Sequence, residues 1–234
     1  MKILILKPGN YSLKYTFYAN DLRYPVLEGD EKERDIISLG DTLHGILEKC
    51  REKNEGKSPD AFSIYTAFAG TGISESASVN KETVDMLREE IPRAPLHLPG
   101  VIAVIETLQQ IAPDIPMTLL SGSAFFNNLP VRETLYGIDP EIMDSLHVRR
   151  SGTHGLFHEA ACRKVFREWK KNDNKGVPRI ISICLEPRSE VAAVRGNMPQ
   201  MVTSGVTPLE GLPGHTTCGE IDPAIVLVLS KNKG

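Results

Sequence analysis

The chain has 234 residues, 41% of them hydrophobic and 24% charged, with a formal net charge of −3 at pH 7. This balance excludes a disordered or fibrous chain, and the slight acidity excludes the dense basic surface on which nucleic-acid binding depends. No apolar run reaches the roughly 18 residues that span a bilayer, and the first residues lack the features of a signal peptide. We therefore expect a cytoplasmic protein without membrane insertion.

The chain begins with sequence that predicts strands. A continuous apolar run at residues 3–6 is typical of a strand buried on both faces. Apolar and polar residues then alternate over 12–18, and a third run covers 24–27. Short turns separate these runs, so we expect an antiparallel meander of three strands.

The periodicity then changes to that of helices alternating with strands. The resulting order, β-β-β-α-β-α-α-β, is typical of an α/β layered domain. The predicted elements after the meander are a helix over 43–50 with Gly40-Asp41 as its cap, a strand over 61–67, a helix that opens at Asn80, a helix after Pro99-Gly100 and a strand over 116–120.

A second unit is predicted to begin near residue 148, which gives expected domains over 1–147 and 148–234. Its elements are an amphipathic helix over 158–171, strands over 179–185, 190–195 and 201–204, and an amphipathic stretch over 223–229. Residues 191–194 are apolar on both faces of their strand. A protein partner, a second copy of the chain, or the helix and tail of the unit itself must cover them.

Two short segments carry side chains that suit a binding site. The turn at residues 7–14 can present N–H and hydroxyl groups to phosphate, although an ordinary hairpin has the same sequence character. His154 and His158 have a spacing that can bind zinc, but no third ligand is evident, so we expect no metal. A histidine at a helix N-terminus can instead donate to an anion. The four cysteines show no C-x-x-C pair and are expected to be structural thiols.

Several segments also match the motifs of a known family. Met1 to Tyr15 matches the family's opening strand and its turn N-A-G-S-S-S-L-K-Y, and Ala94-Pro-Leu-His-Leu-Pro99 matches its motif A-P-L-H-N-P. Ala124-Phe-Phe-Asn-Asn-Leu-Pro130 matches D-T-A-F-H-Q-T-M-P, and Arg149-Arg-Ser-Gly-Thr-His-Gly155 matches R-R-Y-G-F-H-G. Gly205-Val-Thr-Pro-Leu-Glu-Gly-Leu212 and the helix predicted after it match a further family segment. In this order they resemble the acetate kinase family, of the acetate and sugar kinase, heat-shock ATPase and actin superfamily. The resemblance implies an actin-like fold, with a ribonuclease-H-like first domain and the first part of a second. The activity it implies is in-line phosphoryl transfer between ATP and acetate.

The chain departs from this family at most chemical positions. Where the family has an arginine, an aspartate and a second arginine, this sequence has Thr66, Gly122 and Thr217. In the segment that replaces the family's phosphate loop, Glu186 and Glu190 add negative charge. Because the loss of one such arginine or oriented donor lowers the rate by about 10²-fold or more, the departures imply that no catalytic residue and no transfer remain.

Five residues are left as candidates for a residual anion or substrate site: Asn10, Ser12, Lys14, His97 and His154. The part of the family that supplies the adenosine pocket has no counterpart in this sequence, so the resemblance implies neither ATP binding nor a cofactor. The sequence is compatible with three alternative functions. The departures favour a non-catalytic scaffold, adaptor or regulatory subunit of a larger complex. The alternatives are an acetate or acyl-phosphate kinase completed by another chain, and a sensor of small anions or acyl phosphates.

Overall fold

The computed structural model describes residues 1–9, 12–19, 21–32, 39–70, 73, 76–146, 148–186, 188–207, 209–215 and 217–231. Asn10, one of the candidate site residues, lies outside the described residues. Contacts divide the chain into two compact units, residues 1–124 and residues 125–234. The division precedes the expected boundary at 147, because Phe125, Phe126 and Leu129 pack in the hydrophobic cluster of the second unit.

The first unit is a six-stranded sheet with helices. The strand order is β3-β2-β1-β4-β6-β5, with β1 antiparallel to β2 and parallel to β4, and β4 parallel to β6. The predicted order of elements is confirmed, with one addition, the short strand β5. The elements are β1 (Ile3–Pro8), β2 (Leu13–Tyr18), β3 (Leu27–Glu31), α1 (Leu39–Glu52), β4 (Ala61–Thr66), β5 (Ala77–Ser78), α2 (Lys81–Glu89), α3 (Leu98–Ile111) and β6 (Met117–Ser121).

Two predicted boundaries in this unit were wrong. The third strand begins at Leu27 rather than at residue 24, because Asp21 closes a turn before it by accepting the Arg23 N–H at 2.9 Å. Helix α1 begins at Leu39, ahead of the predicted cap, since the Leu39 side chain is buried with the apolar face of the helix. The cap of α2 is confirmed, as the Thr83 N–H donates to Asn80 Oδ1 at 2.8 Å.

Helices and sheet of the first unit enclose one core. Inward side chains of β1, β2 and β4 meet the apolar faces of α1 and α3. The buried residues of α1 recur at the helical spacing that the sequence shows. Core members include Leu4, Leu6, Leu13, Phe17, Leu43, Ile46, Phe62, Ile64, Val101, Ile105 and Leu108.

The second unit holds an antiparallel sheet in the order β7-β8-β9. Its third strand lies at 198–202, earlier than predicted, because Gly196, at φ +65°, closes a tight turn that pairs Arg195 with Met198. The elements are a 3₁₀ turn (Ala124–Asn128), α4 (Val131–Thr134), α5 (Pro140–Leu146), α6 (Gly155–Lys171), β7 (Arg179–Cys184), β8 (Glu190–Arg195), β9 (Met198–Val202) and α7 (Pro223–Lys231).

The two faces of this sheet have different surroundings. One face is buried, with Ala192, Val194 and Val202 in the same cluster as Cys162 of α6. The other, which we call the outer face, leaves Ile181 67% and Ile183 61% exposed. Helix α7 has no buried residue. Helix α6 therefore covers one face of the sheet, whereas helix α7 buries none of its side chains. Within the described ranges, no helix combines the length and the apolarity needed to cross a bilayer.

Candidate functional site

The second unit contains a buried carboxylate, Glu190, at the start of β8. Side chains of β8 alternate between the two faces of the sheet, and Glu190 shares the buried face with Ala192 and Val194. Its side chain is fully buried. A buried carboxylate needs hydrogen-bond donors if it is to stay ionised. Here the two residues that precede α6, Thr153 and His154, supply them.

Backbone and hydroxyl groups donate to both oxygens of Glu190. The N–H and the hydroxyl of Thr153 donate to Oε2 at 2.8 and 2.9 Å. The N–H of His154 donates to Oε1 at 2.9 Å. Both N–H groups belong to the two residues that directly precede α6, which begins at Gly155, so Glu190 fixes the segment that leads into the helix.

Two histidines face the same carboxylate. His154 places Nδ1 3.6 Å from Glu190 Oε1 and 3.0 Å from Thr153 Oγ1. One helical turn later, His158 places Nε2 3.2 Å from Oε1, with its Nδ1 2.8 Å from Ser182 Oγ on β7. Both imidazoles are buried. The cluster is thus a closed polar network inside the unit.

This environment lowers the pKa of Glu190. Burial alone raises the pKa of a carboxyl group, because it disfavours the charged form. The side chains of His154, His158 and Ser204, together with the His154 N–H, lower the pKa by more than burial raises it. Glu190 is therefore ionised at neutral pH. Chemically, the site is a set of anion-binding donors that already hold an anion supplied by the chain itself.

The first unit contains a second candidate region, at one edge of its sheet. The carboxyl ends of the parallel strands β1, β4 and β6 meet there, as they do where open α/β sheets bind ligands. The Thr66 hydroxyl donates to the Phe68 carbonyl at 2.8 Å, and the Gly122 N–H donates to the Thr66 carbonyl at 2.7 Å. Ser121 Oγ and Ser123 Oγ lie 3.2 Å apart and are buried. These hydroxyls are engaged within the unit, and neither Thr66 nor Gly122 brings a charge to the edge.

The predicted site residues belong to different units. Ser12 and Lys14 lie at the start of β2 in the first unit, where Lys14 Nζ is 3.9 Å from Asp30 Oδ2. His97 is exposed and directly precedes α3. His154 belongs to the second unit and, with His158 and Glu190, forms the network described above. Across the described parts of the chain, no group of three or more His, Cys, Asp or Glu side chains is arranged to hold a metal ion.

The sequence did not predict that Glu190 meets His154. It indicated a negative charge in an altered loop and, separately, a histidine free to donate to an anion. One feature of the sequence could have indicated that Glu190 is buried. Alternation along β8 puts Glu190 on the same face as the apolar residues 192 and 194. A charged residue at such a position needs a buried partner.

The chain is similar to known proteins over most of its length. It matches the model of the Acetokinase family over residues 14–234. It is 30% identical to Acetate kinase 2 of Clostridium perfringens over 266 aligned residues, which cover 100% of this chain and 65% of the relative. With the acetate kinase of Corynebacterium efficiens it shares 35% identity over 88% of this chain and 52% of the relative. The chain thus spans about two thirds or less of the length of these relatives.

Solved structures show the same fold. The acetate kinase of Porphyromonas gingivalis superposes with a TM-score of 0.83 at 21% identity, covering 100% of this chain and 64% of that one. A propionate kinase of Francisella tularensis gives 0.79 at 23% identity, over 99% and 64%. The actin-like α/β fold implied by the sequence motifs is confirmed. With a family model matched from residue 14 to residue 234, the chain belongs to the acetokinase family.

Proposed function

We propose that the chain is a non-catalytic member of the acetokinase family that serves as a scaffold, adaptor or regulatory subunit of a larger complex. The observation that carries this proposal is the Glu190 carboxylate, which lies 3.6 Å from His154 Nδ1 and accepts the N–H groups of Thr153 and His154 just before α6. His154 is one of the residues at which the chain retains a family histidine. In this protein its surroundings are already filled by a negative charge.

Electrostatics make this arrangement unfavourable for phosphoryl transfer. A phosphoryl group in transfer is itself anionic, and its stabilisation depends on positive charge and free donors near its oxygens. Glu190 is buried, so water does not screen its charge as it screens charges at the surface. An acyl phosphate near His154 would meet repulsion where the reaction requires attraction.

Two positions of the first unit support the same conclusion. Thr66 and Gly122 stand where the family motifs have an arginine and an aspartate. The Thr66 hydroxyl is bound to a backbone carbonyl, and Gly122 has no side chain. Phosphoryl transfer depends on charge neutralisation, which a hydroxyl and a glycine do not provide. Glu186 and Glu190 further place negative charge in the segment that replaces the family's phosphate loop, so we also propose that ATP is not bound.

The proposal predicts that the purified chain produces no acetyl phosphate above the blank from ATP, Mg²⁺ and acetate. Acetyl phosphate is trapped with hydroxylamine and measured by absorbance, with an active acetate kinase as the positive control. Millimolar Mg-ATP is expected to leave the melting temperature unchanged, because a ligand that binds only the native state must raise it. A turnover of about 1 s⁻¹, low for an enzyme, would instead support a kinase.

A role in a complex is supported by the outer face of the second unit's sheet. Ile181 and Ile183 on β7 and Met201 on β9 are at least half exposed and lie on the same face. Three short strands covered on one side only bury little apolar surface. Contiguous apolar patches of this kind mark interaction sites. We propose that a second copy of the chain covers the outer face.

The expected result is association that depends on protein concentration in sedimentation velocity experiments. Ile181→Glu should abolish it, because the substitution places a charge in the apolar contact. Val131→Glu is the matched control, since Val131 is also 67% exposed but lies on α4. A wild-type monomer at every concentration, or equal loss of association in both variants, would contradict the assignment of the outer face.

A further inference from the structure

Helix α6 carries a concentration of positive charge that the chain as a whole lacks. Residues 163–179, from the middle of α6 to the start of β7, contain seven basic and two acidic residues, although the net charge of the chain is −3. The basic side chains of the helix are exposed, and they are Arg163, Lys164, Arg167, Lys170 and Lys171. Because like charges on one helix repel each other, an acidic partner would stabilise this surface.

A groove, which we call the α6 groove, runs along one side of this basic surface. Its volume is about 580 Å³, within the usual range of ligand sites. The lining residues of the helix recur every three or four positions from 156 to 167, a length of about 16 Å, so the groove follows the helix axis. It is lined by Leu156, Glu159, Arg163, Phe166 and Arg167 of α6 and by Asn197 in the turn between β8 and β9.

Two guanidinium groups of the α6 groove have N–H donors to offer. Arg163 pairs with Glu159 through one of its Nη groups. Arg167 donates from Nε to the Arg163 carbonyl at 3.3 Å, and neither of its Nη groups has an acceptor among the described residues. Guanidinium groups bind carboxylates through paired N–H bonds. The groove therefore has the capacity to bind carboxylates from outside the chain.

The other side chains of the groove limit which acidic partner fits. Leu156 and Phe166 are partly buried and offer apolar contact, one near each end of the groove. Phe166 also lies beside the turn after β8, since a Cβ on Gly196 would be 3.9 Å from its ring atom Cε2. Glu159 places a negative charge in the groove, which would repel a continuous chain of phosphates. A polypeptide that alternates carboxylates with apolar side chains therefore matches this lining better than a nucleic acid does.

We propose that the α6 groove binds an acidic segment of a partner polypeptide. The carboxylates of that segment pair with Arg163 and Arg167, and its apolar side chains contact Leu156 and Phe166. This inference rests on the proposed adaptor role, for which it names the chemistry of a partner. The groove lies on α6, which covers the buried face of the sheet, so it is a different surface from the outer face.

The experiment measures the fluorescence anisotropy of a labelled peptide, in which Glu-Glu-Leu is repeated four times, as the full chain is added. We expect saturable binding that weakens when NaCl is raised from about 50 to about 300 mM, because salt screens exposed ion pairs. Arg163→Glu together with Arg167→Glu should weaken binding by about tenfold or more.

The matched control is Lys164→Glu together with Lys171→Glu. It reverses the same number of charges on α6, but neither lysine lines the groove, so the Kd should change by about twofold at most. All four substituted side chains are exposed. Both double variants are therefore expected to fold, and their melting temperatures check this.

Three results would overturn the proposal. The first is no binding of the peptide by wild type, and the second is an equal loss in both double variants, which would show a general attraction of negative charge. The third is a twelve-nucleotide single-stranded DNA that binds as tightly as the peptide and is lost in the same variant, which would assign the groove to nucleic acid. If the groove fails these tests while no acetyl phosphate forms and Ile181→Glu still abolishes association, the proposed function stands and only this inference fails.

Discussion

Glu190→Gln is expected to lower the free energy of unfolding of the second unit by about 3–5 kcal/mol at pH 7, the range for removing one partner from a buried ionic network. Glutamine has nearly the same size, so the loss reflects charge and hydrogen bonding. Its amide group cannot accept from Thr153 and His154 at both ends as the carboxylate does. Urea unfolding followed by Trp169, the single tryptophan of the chain, gives this free energy from α6 itself.

The same substitution should remove part of the acid sensitivity of the unit. The folded state lowers the pKa of Glu190 from an ordinary value of 4.5. The ionised carboxylate therefore contributes stability that is fully present above about pH 4.5 and is lost as the pH falls through the lower folded value. The difference between wild type and Glu190→Gln should thus be constant near neutrality and shrink in acid.

A matched control shows how much of the effect of Glu190→Gln comes from the burial of the carboxylate, because it removes the same charge from a more exposed position. Glu159 lies on α6 and forms an exposed ion pair with Arg163. Glu159→Gln removes one carboxylate from the same unit, and exposed pairs of this kind contribute about 0–1 kcal/mol. If Glu190→Gln is as mild as Glu159→Gln, or if its effect does not diminish in acid, the buried carboxylate does not hold α6 in the way described.

Gly211→Ala is expected to destabilise the second unit by about 3 kcal/mol or more, from backbone strain and overpacking combined. Gly211 has φ +100°, a conformation that residues with a Cβ rarely adopt. A Cβ at this position would lie 2.5 Å from the Thr203 carbonyl oxygen and 3.2 Å from the Ser204 nitrogen. Backbone atoms cannot rotate away as a side chain can, so the segment that carries Ser204 must move.

Two other glycines serve as controls for Gly211→Ala. Gly176 also has a positive φ, +80°, but a Cβ there meets nothing within 4 Å, so Gly176→Ala should show strain alone, about 1–2 kcal/mol. Gly137 has neither a positive φ nor a close neighbour, and Gly137→Ala should be close to neutral. Unfolding in urea, again followed by Trp169, ranks the three. If Gly211→Ala and Gly176→Ala are equal, the predicted backbone clash is absent.

Local patterns in the sequence determined most of the fold. The alternation over residues 12–18 gave β2, the apolar spacing over 43–50 gave the buried face of α1, and Asn80 gave the start of α2. These features depend on neighbours within one or two helical turns or along one strand, so they can be predicted without tertiary information. The order of the family motifs added the actin-like fold, which the solved relatives confirm.

Only the tertiary structure decided which polar groups meet. Glu190 and His154 are 36 residues apart in the chain, and the pairing of β7 with β8 and the packing of α6 bring them together. The sequence showed both residues but placed Glu190 where a predicted strand follows an altered loop, and His154 in an open anion site. Element boundaries such as the start of β3 at Leu27 were also decided at this level, by strand register and a side-chain turn. The physical reason is the same in both cases: hydrogen bonds between distant segments exist only once the chain has packed, and no local periodicity encodes them.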